Sequence, residues 1–423
     1  MTDRDIVVRL HDKLRRHTGV DLRLDLWDGT RIGPADAPCS ISLTYPWSAR
    51  AVLRKHITLA LGESYVEGAI DFKGDVIAIM QQLSAIAAPR FSRLDQLAVL
   101  AMRQRLSRPP RRPHRRRARL TGRMHSPARD RAAIAFHYDL PQEFYEQFLD
   151  RNLVYSCAYF AAADEDLDSA QTRKLDLICR KLRLRPGLRF LDVGCGWGSL
   201  LMHAARLYGV TGVGVTLSET QFEAGRKLVE QSGLSDRIDI RLQDYRDLQG
   251  TFDAISSVGM LEHVGPAHIH SYVAQLRRLL AEDGLLLNHG IVFSNAARVR
   301  DGTEPTFLTR YVFPDGGIAA AWRLAEACEK SGLTLIDLEQ LGPHYALTLR
   351  NWLANLEEHH HQVLACASEE DYRIWRTYMA MAASGFESEE LGVVQILAAA
   401  PGAARRVLPL GQAWMNPAPA TGP

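Results

Sequence analysis

No stretch of this chain stays apolar for the eighteen or so residues that a helix crossing a bilayer needs. The best candidate, residues 76–88, is interrupted by Gln81, Gln82 and Ser84. The opening residues, MTDRDIVVRLHDKLRR, are charged throughout and do not read as a secretory signal. Cysteine is sparse: there are 6 in 423 residues, and no two form a C-x-x-C pair. That spacing argues against a disulfide framework and against a zinc site, so the expected setting is the reducing cytoplasm. Acid is scarce in one place only. From Arg103 to Arg131 there are twelve arginines and one acid, Asp130. The whole chain balances 51 Lys and Arg against 49 Asp and Glu, so the remainder is net acidic. The near-neutral total conceals a polarised molecule.

What is present reads as a folded globular protein: 46% hydrophobic and 24% charged residues, with length for two or three domains. Residues 1–100 suggest a small α+β domain. "VDLRLDLWDGTRIG" alternates at period two around a DG turn and predicts a hairpin. "SISLTYP" and "AIDFKGDV" read as strands, and "DVIAIMQQLSAIA" as a helix. Residues 101–131 form an Arg/Pro-rich linker. Pro109, Pro110 and Pro113 oppose a helix, and like charges repel. It is either a solvated spacer or a contact for a polyanion. It lacks interleaved aromatics for base stacking, which favours an anionic membrane surface over nucleic acid. Residues 132–400 alternate strand and helix, which predicts a doubly wound, mostly parallel α/β sheet of seven strands, Rossmann-like, with "LTLIDLEQL" and "VVQILAAA" as an antiparallel edge. Residues 401–423 are a tail.

In such sheets ligands bind beyond the carboxyl ends of the strands. The first strand of this region runs into "LDVGCGWGS", where Asp192, Gly194, Gly196 and Gly198 fit D-x-G-x-G-x-G. Glycines there permit a tight turn and close approach of a ligand to the backbone. The spacing departs from the dinucleotide fingerprint and points to S-adenosylmethionine. After the second strand come Thr216, Leu217 and Gln221, with no acid before Glu219. After the third, "LQDYRDL" offers Gln243 and Asp244. Asp244 suits an adenine amine, or is simply a turn residue. His289 stands near the end of the buried strand "LLLNHGIVF", where a satisfied core histidine is the plain alternative. Glu262 leaves the fourth strand, where a helix cap is the plain alternative. In "VYSCAYF", Cys157 sits among three aromatic rings. The run "EEHHHQ" invites a metal reading, but consecutive helical histidines point about 100° apart and cannot share one ion.

The ordered motifs "HYD…FYEQFLD…YSCAYF", "LDVGCGWG", "VGVTLS", "QDYRD", "SVGMLEHVG", "RYVFPDG" and "HYALTLRNW" resemble the cyclopropane-fatty-acid synthase family, which includes the mycolic acid cyclopropane synthases. The resemblance covers about residues 132–400. It implies methyl-donor contacts at Tyr155, Ser156, Asp192, Gly194, Gly196, Thr216, Leu217, Gln221, Gln243 and Asp244. It implies a bicarbonate site at Cys157, Glu262, His289, Ile291 and Tyr345, with Ile291 contributing its backbone N–H. The family commonly has Gly-Asn after "HYDL", whereas Pro141–Gln142 here stiffen the chain. The implied activity is that of a cyclopropane-fatty-acyl-phospholipid synthase. Such an enzyme transfers a methylene from S-adenosylmethionine to a cis double bond of an unsaturated phospholipid acyl chain, through a carbocation, with bicarbonate as base. Phe160, Tyr311, Phe313 and Trp352 could offer π faces to the cation. The alternatives are a same-fold C-methyltransferase giving a methyl-branched or methylene chain, or a non-catalytic lipid-binding homologue. The expected location is cytoplasmic, peripheral at the inner membrane surface. Family analogy suggests a homodimer.

Overall fold

The computed structural model describes every residue except 1, 55, 88–91, 111–117, 119, 139, 296–305, 404–407, 412 and 416–423. Six of the twelve arginines between Arg103 and Arg131 therefore lie outside the described residues. The chain divides into two compact units.

The first unit comprises Met1–Ala118, Thr303–Val312 and Ala367–Ser384. Helix Asp3–Thr18 begins with a reciprocal cap: Thr2 accepts from the Asp5 N–H and Asp5 accepts from the Thr2 N–H. It ends at Gly19, φ 74°, a left-handed position natural to glycine. Ile6, Val7 and Leu10 bury one face of this helix. The hairpin forms as the DG turn predicts, from β1 (Leu24–Asp25) and β2 (Arg31–Ile32). Strands β3 (Cys39–Leu43) and β4 (Ile70–Gly74) complete a sheet of order β2-β1-β3-β4.

Two later segments belong to this unit, and contiguous sequence reading could not assign them. Arg310 reaches Glu63 at 2.6 Å and Tyr311 donates to the same carboxylate at 3.2 Å, while Arg54 holds its other oxygen at 3.2 Å. Glu63 is buried, and these three partners offset the cost of burying its carboxylate. Arg376 donates to the Tyr65 hydroxyl at 2.8 Å, and Tyr65 stacks on Phe72 at 4.3 Å. The boundaries expected at residues 100 and 131 also move. The first falls inside helix Arg93–Arg105 and the second inside helix Pro127–Tyr138. Both ends of the expected 101–131 linker are therefore helical, and Pro113 within it lies outside the described residues.

The second unit comprises Arg119–Gly302, Phe313–Cys366 and Gly385–Pro423. Its strands are β5 (Arg189–Val193), β6 (Thr211–Thr216), β7 (Ile238–Leu242), β8 (Phe252–Val258), β9 (Leu280–Phe293), β10 (Ala319–Ala320), β11 (Thr334–Gln340) and β12 (Leu391–Ala399). The order is β11-β12-β9-β8-β5-β6-β7, which gives the seven expected strands. β10, a two-residue strand, adds an eighth by pairing with β9. β5 to β9 run parallel, and β12 is antiparallel to both β9 and β11. β5 is buried along nearly its whole length because helices cover both faces. From β5 the chain winds outward to β6 and β7, then returns to β8 and β9. The crevice between β5 and β8 is thus the switch point at which such sheets bind ligands. Pro141 accommodates the family departure without disturbance. It stands just before the short helix Gln142–Glu146, where a missing N–H costs nothing.

Candidate functional site

A cleft of about 980 Å³, solvent mouth included, opens at that switch point. Its lining includes Tyr155, Ser156, Asp192, Gly194, Gly196, Thr216, Leu217, Gln221 and Gln243. The glycine turn leaves β5 through Gly194 (φ 77°), Gly196 (φ 55°) and Gly198 (φ 84°), all left-handed. The Gly194 and Cys195 N–H groups both donate to the Val215 carbonyl, which fixes the turn against β6. A Cβ on Gly194 would lie 2.5 Å from Met260 Cγ. Gly194→Ala therefore combines a strained backbone, costing about 1–3 kcal/mol, with a methyl pushed at a cleft residue. Titration calorimetry should show affinity for the methyl donor weakened roughly tenfold or more.

Thr216 donates to Gln221 Oε1 at 2.9 Å, and the Gln243 N–H donates to the Thr216 carbonyl at 3.1 Å. Asp192 accepts from Ser256 at 2.6 Å, and burial pushes its carboxyl up to about 6. Asp244 is absent from the cleft lining. Its carboxylate is gripped by Arg246 Nε and Nη2 at 2.9 and 2.6 Å and accepts from the Arg246 N–H. Its neighbours Gln243 and Tyr245 do line the cleft.

The cleft's other wall is held by residues that sequence reading missed. Asp150 accepts from the Val154 and Asn152 N–H groups. Gln171 donates to the carbonyls of Val154 and Ser156, and Lys174 Nζ donates to Ser156 Oγ at 2.8 Å. Lys174 lines the cleft yet is only 2% exposed, and burial lowers its ammonium to about 8. A signal existed. In helix Leu167–Lys181, residues 167, 171, 174, 178 and 181 share one buried stripe, and three of the five are polar. Polar groups on an apolar stripe are buried only with partners. Lys181, the last of them, finds Asp337 at 2.7 Å and Glu339 at 2.6 Å on β11.

A second cluster is drawn together by strand pairing. None of its five expected members lines the cleft, although their chain neighbours Ser156, Met260 and His263 do. β12 sets Gln395 opposite His289 and Val393 opposite Ile291. The Leu341 N–H donates to Val393, and the Leu341 carbonyl accepts from the Tyr345 N–H at 3.1 Å and lies 3.7 Å from Cys157 Sγ. Ile291 donates its N–H to Glu262 Oε1 at 2.5 Å. The other Glu262 oxygen is buried without a hydrogen-bond partner among the described residues. Burial pushes Glu262 up to about 7 and His289 down to about 3, with the lysines Lys174 and Lys181 also lowering His289. Gln395 Nε2 lies 3.3 Å from His289 Nδ1, and an amide N–H donated there goes with the ring tautomer that carries its proton on Nε2. Burial drives the Cys157 thiol far above its ordinary range, so it carries no thiolate at neutral pH.

Aromatic rings join the two places. Tyr155 stacks on Trp352 with centroids 5.2 Å apart, and Trp352 meets Tyr345 edge-on at 5.9 Å. Phe313 packs on His137 at 4.2 Å, and Phe160 is buried. Tyr311 instead belongs to the first unit, bound to Glu63. In the histidine run, His359 pairs with the Gln147 carbonyl at 2.7 Å.

Residues 125–396 match the family model described as mycolic acid cyclopropane synthetase. A probable fatty acid methyltransferase of Pseudomonas putida is 38% identical over 383 residues, covering 90% of this chain and 92% of its own. The cyclopropane-fatty-acyl-phospholipid synthase of Escherichia coli K12 is 36% identical over 261 residues, covering 62% of this chain and 66% of its own. Among solved structures, the mycolic acid cyclopropane synthase CmaA1 complexed with SAH and CTAB aligns with a TM-score of 0.60 at 33% identity, covering 64% of this chain and 98% of that one. With its parallel sheet, its glycine turn at the switch point and these relatives, the chain belongs to the cyclopropane-synthase family of S-adenosylmethionine-dependent methyltransferases.

Proposed function

We propose that this protein modifies the cis double bond of an unsaturated acyl chain within a phospholipid, adding the methyl carbon of S-adenosylmethionine and closing a cyclopropane. The observation that carries the reading is Glu262. It is a buried carboxyl that titrates near neutrality, with one oxygen anchored by Ile291 and the other unpartnered. A product formed by methyl addition to an alkene requires one proton to leave, and a base poised near pH 7 suits that step. The alternatives are poorly matched. His289, at about 3, is too weak a base, and Cys157 does not ionise.

The cleft fits the methyl donor: an amino-acid end, a ribose and a base face a backbone turn, buried polar side chains and one buried cation. When bound, the donor supplies an electrophilic methyl group. Lys174 and Ser156 would hold its carboxylate, Gly194 and Gly196 would admit its backbone contacts, and Gln221 and Gln243 would take the nucleoside end. The second cluster fits a small oxyanion such as bicarbonate in part. His289 Nε2–H is a hydrogen-bond donor, and Glu262 either donates when protonated or accepts a proton when ionised. The Ile291 N–H is engaged with Glu262, so it orients that carboxyl first. Cys157, His289 and Tyr345 are buried, which would shield a developing cation from water, and the Trp352 ring packs edge-on against Tyr345.

Incubating the protein with labelled methyl donor and unsaturated phospholipid vesicles, with and without bicarbonate, tests the reading. Ring-bearing lipid whose yield depends on bicarbonate supports it, and no label in lipid refutes it. A second reading rests on the Pseudomonas relative, which is called a fatty acid methyltransferase and matches across nearly the whole chain. A methyl-branched product would show that the ring does not close. Fragmentation and hydrogenation of the product lipid separate a ring from a methylene of equal mass. Cys157→Ser should retain most of the activity in the same assay, because the thiol's contacts with the Ala158 and Leu341 carbonyls and with Thr348 are ones a hydroxyl can also make. Complete loss with an unchanged melting temperature would restore a chemical role to the thiol.

A further inference from the structure

Helix Arg93–Arg105 contains seven apolar residues in thirteen, yet none of its residues is buried. Leu94, Leu97 and Leu100 are 79%, 61% and 48% exposed. At about 100° per residue, positions 93, 94, 97, 100, 101, 104 and 105 share an arc of about 140°. The outward face is therefore three leucines, an alanine and Gln104, with exposed Arg93 and Arg105 bracketing them at the two ends. It carries no acid. The helix's one acid, Asp95, lies on the opposite face and is tied to Lys13. Other polar ties hold the helix in place. Arg50 donates to the Arg103, Gln104 and Leu106 carbonyls, and Ser107, just past its end, bonds Asp3 at 2.6 Å. The leucines are thus not needed to dock the helix, and an exposed apolar stripe of this kind marks a contact surface.

We infer that this face is a bilayer-docking element: the leucines enter the acyl boundary of an anionic membrane and the flanking arginines meet its head groups. Leucines on one face with arginines at the rim is the pattern of an interfacial helix. A second copy is a poorer occupant, because two such faces would oppose arginine to arginine with no acid to pair. The inference rests on the proposed acyl-lipid substrate in one respect. No helix among the described residues is long and apolar enough to cross a membrane, so an enzyme using membrane acyl chains must meet them from the surface.

The test is co-sedimentation of the full chain with vesicles of phosphatidylcholine alone or mixed with phosphatidylglycerol. The wild type should partition to the anionic vesicles. The triple variant Leu94→Gln, Leu97→Gln, Leu100→Gln should lose roughly tenfold or more of that partition. The double variant Arg93→Gln, Arg105→Gln should lose the preference for anionic over neutral vesicles. Both variants should methylate detergent-dispersed unsaturated lipid at the wild-type rate. Wild-type partition by the triple variant overturns the inference, as does a dimer in size-exclusion chromatography that only the triple variant abolishes. If the wild type fails on detergent-dispersed lipid, the proposed function falls instead, whatever the vesicles show.

Discussion

Glu262→Gln should lower kcat by roughly 10²–10⁴-fold while leaving methyl-donor affinity nearly unchanged. The variant keeps an oxygen to accept the Ile291 N–H, so the loss isolates proton transfer from architecture. In the wild type, kcat should rise as pH passes through about 7, where Glu262 ionises, and this limb should vanish in the variant. The sign for stability is opposite. Burial raises the folded-state value from 4.5 to about 7. The stability linked to this group is therefore complete below about 4.5 and is lost as pH rises through about 7. At pH 8 the ionised carboxylate costs up to about 3 kcal/mol, so the variant should melt higher than the wild type there and equally at pH 4. A gain in stability together with a loss of turnover is what a functional group held against its solvation preference produces. A pH-independent drop in kcat, with no change in melting, would count against the base assignment.

Lys174→Met should raise the KM for the methyl donor by roughly 30-fold or more and change kcat far less. Methionine keeps the volume and the apolar stem, so the variant should fold. What it removes is a buried cation 2.8 Å from Ser156. Because burial lowers the ammonium to about 8, the charged form that would hold a carboxylate prevails below that pH. Donor affinity in the wild type should fall as pH climbs above about 8, and the difference between wild type and variant should shrink over the same range. Equal KM values for the two proteins at pH 7 would assign Lys174 to bracing the Tyr155–Cys157 loop alone.

Both predictions turn on residues whose meaning changed between chain and fold. Glu262 and His289 were visible as strand-end residues, but a cap and a core histidine were fair alternatives. Pairing of β12 with β9 brings Gln395 to His289, and the exit of β8 brings Glu262 to Ile291. Only then do one buried base near 7 and one neutral imidazole stand together. Lys174 shows the reverse case. Its helical stripe was legible, but a lysine on an apolar face reads as an anomaly until the Val154–Ser156 loop supplies its partners. At Asp244 the chain shows an acid following a strand, and only the structure shows that Arg246, two residues on, bonds its carboxylate.

The sequence by itself determined the parallel sheet, the order of its motifs and the glycine turn. Those rest on local periodicity and on backbone angles that few residues adopt, which neighbours along the chain encode. Tertiary structure alone decided which distant segments complete the first unit, through Arg310 on Glu63 and Arg376 on Tyr65. It also decided which side chains lose water. Desolvation moves Glu262 toward 7, His289 toward 3 and Lys174 toward 8, and it arises from packing between segments that meet in space, not along the chain: Gln395 lies 106 residues from His289, Ile291 29 from Glu262 and Ser156 18 from Lys174.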